Sequence, residues 1–436
     1  MKLNWFSPLP PARTGIAQYT AQILPALSAR ADVTLWTDQT EWNESLEQHA
    51  KVRRFEPERV RWSELNLADA TVYHMGNNPF FHYGCWQTSR RHPGIVVLHD
   101  TRLHHFFAGV YRERWRDREG YVEQMKRLYG EDGRRTAEAF WTTRGGPEHI
   151  AEAYPLTPLA LENSLGVLVH TGEAFRKLAG EKRWPTIYAP LPYAAATRLK
   201  KRRRSAATSA SQTPYRLIVF GYINPNRRLD ALLEALASFP ERTRFQLDVY
   251  GEMWNADYLN ERVGALKLEG LVNFRGFVSE SELNCALDEA DLAVNLRFPT
   301  MGESSLTQLQ IWEHSLPSLV TTVDWYRELS TEAVAFVRPE HEVQDIQTHL
   351  WDFLSDPKRF ARMGQKGRRI LERRHSPEIY ADALLKFAGQ TETLHRRAIT
   401  HRLSERVGAE MGAWIHPRTK NDAFNRVAEK ILPLVV

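Results

Sequence analysis

Short runs of β-branched, aromatic and aliphatic residues alternate with helix-patterned stretches along this chain. They do so twice, once on each side of a basic, polar segment. Before that segment lie LNWF (3–6), VTLWT (33–37), TVYHM (71–75), GIVVLHD (94–100), GVLVHT (166–171) and TIYAP (186–190). After it lie RLIVFG (216–221), RFQLDVYG (244–251), VNFRGF (272–277), DLAVNL (291–296), PSLVTTV (317–323) and AVAFV (333–337). Several are apolar almost throughout, the mark of strands buried on both faces of a parallel sheet. Between them, stretches such as LDALLEALASF repeat apolar residues at three- and four-residue steps. Strand–helix alternation in both halves predicts two doubly wound α/β domains.

The 436 residues leave room for two or three domains. The spacing predicts an N-terminal domain over 1–195 and a C-terminal domain over 215–388, joined by a basic and Ser-rich linker at 196–214. That linker holds Arg198, Lys200, Lys201, Arg202, Arg203 and Arg204, then SAATSASQTP, small polar residues ending in proline. From about Thr101 to Gly146 the alternation gives way to charged helical sequence, read as an insertion at the rim where such folds bind ligands. The remaining 389–436 reads as a helical tail packing back on the body, with apolar periodicity in NRVAEKILPLV.

At 42% hydrophobic and 25% charged, the chain is neither mostly disordered nor, without an apolar run near about 20 residues, membrane-spanning. Cys85 and Cys285 fit no zinc or redox spacing, and prolines stand where a secretory signal would carry its apolar stretch. A cytoplasmic protein is expected. The net charge of +5 suits anionic partners such as phosphates or acidic lipid surfaces.

Ligands of open α/β sheets bind beyond the carboxyl ends of the strands. After the first strand, SPLPPARTGIAQY places Gly15 at a helix start, where free amides favour anions; a plain turn glycine reads equally well. In LHDTRLHH, His99 and Asp100 stand at a strand end with His104 and His105 about one turn on. A histidine there can donate to a sugar hydroxyl or phosphate, or simply satisfy a loop carbonyl; a zinc site lacks a second ligand pair. In GYINPNRRLDALLEAL, Gly221 ends a strand and Arg227 and Arg228 open a helix, which reads as a diphosphate clamp or as two surface arginines. In RFPTMGESSLTQLQIWEHSLP, Gly302 allows close approach, Glu303 can accept sugar hydroxyls, and Ser304 and Ser305 offer donors or a helix cap.

In this spacing the chain resembles the retaining glycosyltransferases of the GT-B fold, in the large family 4. The likeness is strongest from Tyr215 to about Phe387 and recurs at PLPPARTGIAQY, YHMGNNPF, VVLHDTRLHH and VHTGEAFRKL. The resemblance implies two Rossmann-like domains facing each other across a cleft. It implies a nucleotide-diphosphate-sugar donor and a saccharide or lipid-linked saccharide acceptor, as in cell-surface polysaccharide or glycoconjugate synthesis. Tyr222 stands where the family carries an arginine, and Arg227 takes the position of its lysine, with Arg228 beside it. Of the family's paired glutamates, the first position falls at Gly302, one residue before Glu303, and the second at Gln310.

On the resemblance, Glu303 holds the donor sugar, the amides of Ser304, Ser305 and Leu306 lie near the diphosphate, and Gln310 bonds the ribose as an amide. Glu313 is a poorer substitute, lying further along the helix. Phe277 and Val278 match the loop that reads the nucleobase, Gly15 the loop facing the diphosphate, and His99 the histidine facing the sugar. The N-terminal motifs imply acceptor contacts from Asn77, Asn78, Asp100 and His104.

No Asp-x-Asp occurs in the sequence, so no metal or other cofactor is expected and the protein itself must neutralise the leaving diphosphate. Three rivals remain: a sugar-nucleotide epimerase or phosphorylase of the same architecture, a non-catalytic sugar-nucleotide-binding protein, and a nucleic-acid binder using the Arg198–Arg204 run. The last is disfavoured because the run lacks interleaved aromatics. The same run suits contact with anionic lipid at the inner membrane face.

Overall fold

The computed structural model describes residues 1–143, 145–196 and 214–414, with side chains to 408. The Arg198–Arg204 run and the NRVAEKILPLV stretch lie outside the described residues. The chain divides into two compact units, 1–190 with 377–436, and 191–376.

In the first unit, β1 (Lys2–Phe6), β2 (Asp32–Thr37), β3 (Lys51–Arg54), β4 (Ala70–Met75), β5 (Ile95–Leu98), β6 (Gly166–Val169) and β7 (Thr186–Tyr188) form one parallel sheet. Its order is β3-β2-β1-β4-β5-β6-β7. Strand order therefore reverses between β1 and β4, the switch point at which such sheets open a crevice at their carboxyl ends. Trp5, Tyr73, Val97 and Leu168 are buried, as strands covered on both faces require. The helix Gly15–Ser28 follows β1, with the Thr14 side chain accepting from the Ile16 amide at 3.4 Å as its N-cap.

The insertion after β5 runs through the short helix His104–Gly109, one π-helical turn Val110–Trp115 and the helix Arg118–Thr142. Its inner face is apolar. Phe106, Phe107, Tyr121, Met125 and Phe140 join the core of the unit, while the charged residues lie outward.

In the second unit, β8 (Tyr215–Phe220), β9 (Phe245–Tyr250), β10 (Val272–Gly276), β11 (Leu292–Asn295), β12 (Ser318–Thr321) and β13 (Ala335–Val337) pair in parallel in the order β10-β9-β8-β11-β12-β13. Order reverses here between β8 and β11. The helix Leu306–Glu313 opens just beyond β11 and packs against the helix Pro357–Arg374.

The boundary expected at 388 moves to 376. The helix Pro377–Ala388 belongs to the first unit, where it packs along the helix Gly15–Ser28. Tyr380 is buried against Tyr19, and Arg30 Nε donates to Asp382 Oδ1 at 2.7 Å. Phe387 presses on Gly166, where a Cβ would come within 2.5 Å of the ring. These partners lie more than 200 residues away, so local periodicity carried no sign of them. Among the described residues no helix is long and apolar enough to cross a membrane.

Gly364 and Gly367 let the helix Pro357–Arg374 approach its neighbour closely. A Cβ on Gly364 would stand 2.0 Å from the Ser315 carbonyl oxygen, and one on Gly367 2.1 Å from the Trp312 ring. Gly364→Ala should therefore lower the unfolding free energy of the second unit by about 1–3 kcal/mol, measured by urea titration. Unchanged stability would show that the two helices have slack at this contact.

Candidate functional site

The carboxyl ends of β8, β9 and β10 are closed by three glycines, all with positive φ. Gly221 has φ 110°, Gly251 φ 123° and Gly276 φ 67°. They interlock: the Gly251 amide donates to the Gly276 carbonyl at 2.7 Å, and a Cβ on Gly251 would meet the Gly221 oxygen at 1.9 Å. A Cβ on Gly221 would strike Arg227 Nη2 at 2.4 Å. The missing side chain is what admits the guanidinium.

Arg227 is 7% exposed. It donates through Nη1 to Asn295 Oδ1 at 2.8 Å, and through Nη2 to the Phe220 carbonyl at 3.1 Å and Thr307 Oγ1 at 3.4 Å. Each of these partners is neutral. Burial, and then the nearby charge of Arg297, push its pKa down from the ordinary value. A chain of amides fixes the acceptor: Asn295 Nδ2 donates to Gln308 Oε1 at 3.0 Å, and Gln308 Nε2 to Ser318 Oγ at 2.8 Å. Asn295 and Gln308 are both buried. The result is a desolvated cation held in place by uncharged groups, where β8 and β11 diverge.

Arg228 is differently placed. Its guanidinium forks onto Glu342, with Nε 2.9 Å from both carboxylate oxygens and Nη2 2.6 Å from Oε2. The Glu342 side chain is 5% exposed. Arg228 is thus the counter-ion of a buried carboxylate, and Arg227 alone of the two has only neutral partners. Tyr222 is exposed, as is Phe277, with Val278 half-buried beside it.

In the loop after β11, Gly302 is buried with φ 75°. Glu303 bends back on this loop: its Oε2 accepts from the Met301 amide at 2.6 Å, and its Oε1 lies 3.4 Å from Arg297 Nη1. Ser305 caps the helix Leu306–Glu313, its hydroxyl accepting from the Gln308 amide at 3.1 Å. The cap leaves the amides of Leu306 and Thr307 at a positive helix end. Ser304 and Gln310 are half-buried. Glu313 is fully engaged, accepting from Tyr193 Oη at 2.6 Å and the Ala196 amide at 2.7 Å. The helix carboxylate is therefore a structural anchor.

In the first unit, Gly15 is exposed at the first turn of its helix. His99 follows β5 and meets buried His74 of β4, with His99 Nε2 2.9 Å from His74 Nδ1. Tyr19 and His170 flank the pair, at centroid distances from His99 of 4.9 and 5.1 Å. Burial first, then the neighbouring imidazoles, hold His74 and His99 well below the usual histidine range. Among the described residues no group of three His, Cys, Asp or Glu is placed to share a metal ion.

The expected acceptor residues divide. Asp100 accepts from the Asn77 amide at 2.7 Å, and Asn77 Oδ1 accepts from the Phe106 amide at 3.1 Å. Asn78 is the N-cap of the helix Pro79–Arg91, its side chain accepting from the Phe80 amide at 2.9 Å. His104 corrects the expectation. It is wholly buried, with Nε2 2.6 Å from Tyr121 Oη and Nδ1 bonded to the Tyr154 carbonyl, so it ties the insertion together and presents nothing to a ligand. Local spacing missed Asn295, Gln308, Gly251 and His74. A lone polar residue inside an apolar strand, as in DLAVNL and TVYHM, was the available sign.

Residues 200–370 match the family model described as glycosyl transferases group 1. A search of curated proteins finds no match. Among solved structures, Anabaena HepE in complex with UDP is 15% identical, with a TM-score of 0.59, covering 89% of this chain and 99% of that one. Sucrose-phosphate synthase from Thermosynechococcus elongatus is 15% identical, with a TM-score of 0.60, covering 90% and 99%. WaaG, a glycosyltransferase involved in lipopolysaccharide biosynthesis, is 15% identical, with a TM-score of 0.54, covering 88% and 99%. The two parallel Rossmann-like sheets are thus those of the GT-B fold.

Buried neutral histidines make stability depend on acid. Burial pushes His82 and His104 down to about 4, against about 6.5 in an unfolded chain. Above about pH 6.5 neither state binds the proton; between about 6.5 and 4 only the unfolded state does, so the folded state loses ground as pH falls. Denaturant midpoints for the first unit should decline through that window, by about 1.4 kcal/mol per pH unit for each such histidine. A flat profile from about pH 7 to 5 would contradict these burials.

Proposed function

We propose that this protein is a glycosyltransferase that moves a sugar from a nucleotide-diphosphate donor to a saccharide or lipid-linked saccharide acceptor, with retention and without a metal ion. The family-model match over 200–370 and the fold support the class. Arg227 is the observation that carries the reading. A desolvated guanidinium with only neutral protein partners favours an anion, and it stands next to a capped helix end that favours the same charge.

The chemical problem is departure of a diphosphate from the anomeric carbon. As the glycosyl–oxygen bond breaks, its electron pair passes to the phosphate. Arg227 and the amides at the start of the helix Leu306–Glu313 meet that charge without reorganising. The acceptor hydroxyl then forms the new bond from the same face, and its proton goes to the departing phosphate oxygen. Glu303 accepts from sugar hydroxyls, Gln310 bonds the ribose, and Phe277 and Val278 lie against the base. His99 gives a hydrogen bond to a sugar hydroxyl. The absence of Asp-x-Asp from the sequence accords with charge neutralisation by the chain's own groups.

Two adjacent arginines separate binding from stability. Arg227→Ala should weaken UDP binding and slow turnover of a UDP-sugar by about 10²–10³-fold, its stability cost from the acceptors left unmatched at Asn295 and Phe220 being offset in part by loss of a desolvated charge. Arg228→Ala strands the Glu342 carboxylate and should lower stability by about 1–3 kcal/mol, the half-exposed guanidinium moderating the effect. Calorimetric titration with UDP and urea unfolding of both variants check this. Full UDP affinity in Arg227→Ala would overturn the clamp assignment.

A further inference from the structure

His74 lies on β4, is 0% exposed and packs against Trp5 at a centroid distance of 4.3 Å, the two rings tilted by 43°. Its Nδ1 is 2.9 Å from His99 Nε2, while its own Nε2 is buried without a hydrogen-bond partner. One proton lies between two facing ring nitrogens in such a pair, and its place sets both tautomers. If His99 Nε2 held it, neutral His74 would carry its N–H on Nε2, a buried donor with nothing to receive it. If His74 Nδ1 holds it, only an unprotonated nitrogen is left unmatched, and orphaned buried N–H groups are the rarer and costlier case. The second arrangement puts the remaining proton of His99 on Nδ1, which has no partner among the described residues and belongs to a half-buried ring.

We propose that His74 is a positioning residue that locks His99 in the tautomer protonated at Nδ1, so that His99 offers a fixed hydrogen-bond donor, and not a base, to a sugar or phosphate oxygen. This deepens the glycosyltransferase reading and rests on it for the identity of the oxygen. The surrounding groups favour the neutral pair. Those facing it are His170, His82 and Tyr19, and burial holds the Tyr19 phenol well above its ordinary range. A ring unable to accept a proton there also fits a reaction in which the leaving phosphate takes it.

The test is long-range ¹H–¹⁵N correlation on the full chain labelled with ¹⁵N-histidine at about pH 7, with His99 assigned through His99→Gln. The wild type should show His99 protonated at Nδ1. His74→Asn, whose amide N–H can replace the ring donor, should keep that pattern, and His74→Phe should lose it in favour of Nε2. Protonation of wild-type His99 at Nε2, or an unchanged His99 pattern in a folded His74→Phe, would overturn the proposal. If His74→Phe does not fold, the wild-type spectrum and His74→Asn decide. Turnover of UDP-glucose is scored separately: the Nδ1 pattern in a protein that transfers nothing would sink the reading of function and leave the tautomer lock standing.

Discussion

Stripping water from a guanidinium costs several kcal/mol unless the protein replaces those hydrogen bonds, and here it does so with neutral oxygens only. The requirement shapes the second unit. Gly221 must lack a side chain to leave room for Arg227, and Gly251 must lack one to clear Gly221. Asn295 must end β11 with its oxygen turned to the cation, so Gln308, itself held by Ser318, accepts from its other end. Glycines, strand ends and the start of the helix Leu306–Glu313 are thus parts of one arrangement that keeps a positive charge dry and hydrogen-bonded to neutral groups, with the Glu303 carboxylate near it.

The first unit is built on the opposite electrostatics. Its strand ends gather His74, His99 and His170 around Tyr19, with His82 of the helix Pro79–Arg91 bonded to the His74 carbonyl, and burial keeps the imidazoles His74, His82 and His99 neutral. A neutral imidazole chooses which nitrogen is the donor, whereas an imidazolium donates from both. One unit therefore stores charge and the other stores hydrogen-bond direction.

Much of this architecture was legible in the sequence. Each apolar run named at the outset contains a strand, because strands covered on both faces must be apolar along their length. β3 was missed for the converse reason: KVRR is an edge strand, mostly exposed, whose charges guard the edge and erase the apolar signal. The turns at Gly221 and Gly302 and the cap at Ser305 were legible because turn glycines and caps are local devices. The roles of Arg228 and His104 were not local. Glu342 lies 114 residues from Arg228, and Tyr154 lies 50 from His104, so nothing in the neighbouring sequence distinguished an exposed ligand-binding group from a buried, satisfied one.

On the proposed glycosyltransferase reading, Arg227 is held ready for a diphosphate. A crystal structure of the protein with UDP tests it most directly. β-Phosphate oxygens are expected within hydrogen-bond distance of the Arg227 guanidinium and of the amides that open the helix Leu306–Glu313. A nucleotide bound elsewhere, with Arg227 still bonded only to Asn295, Thr307 and the Phe220 carbonyl, would contradict it.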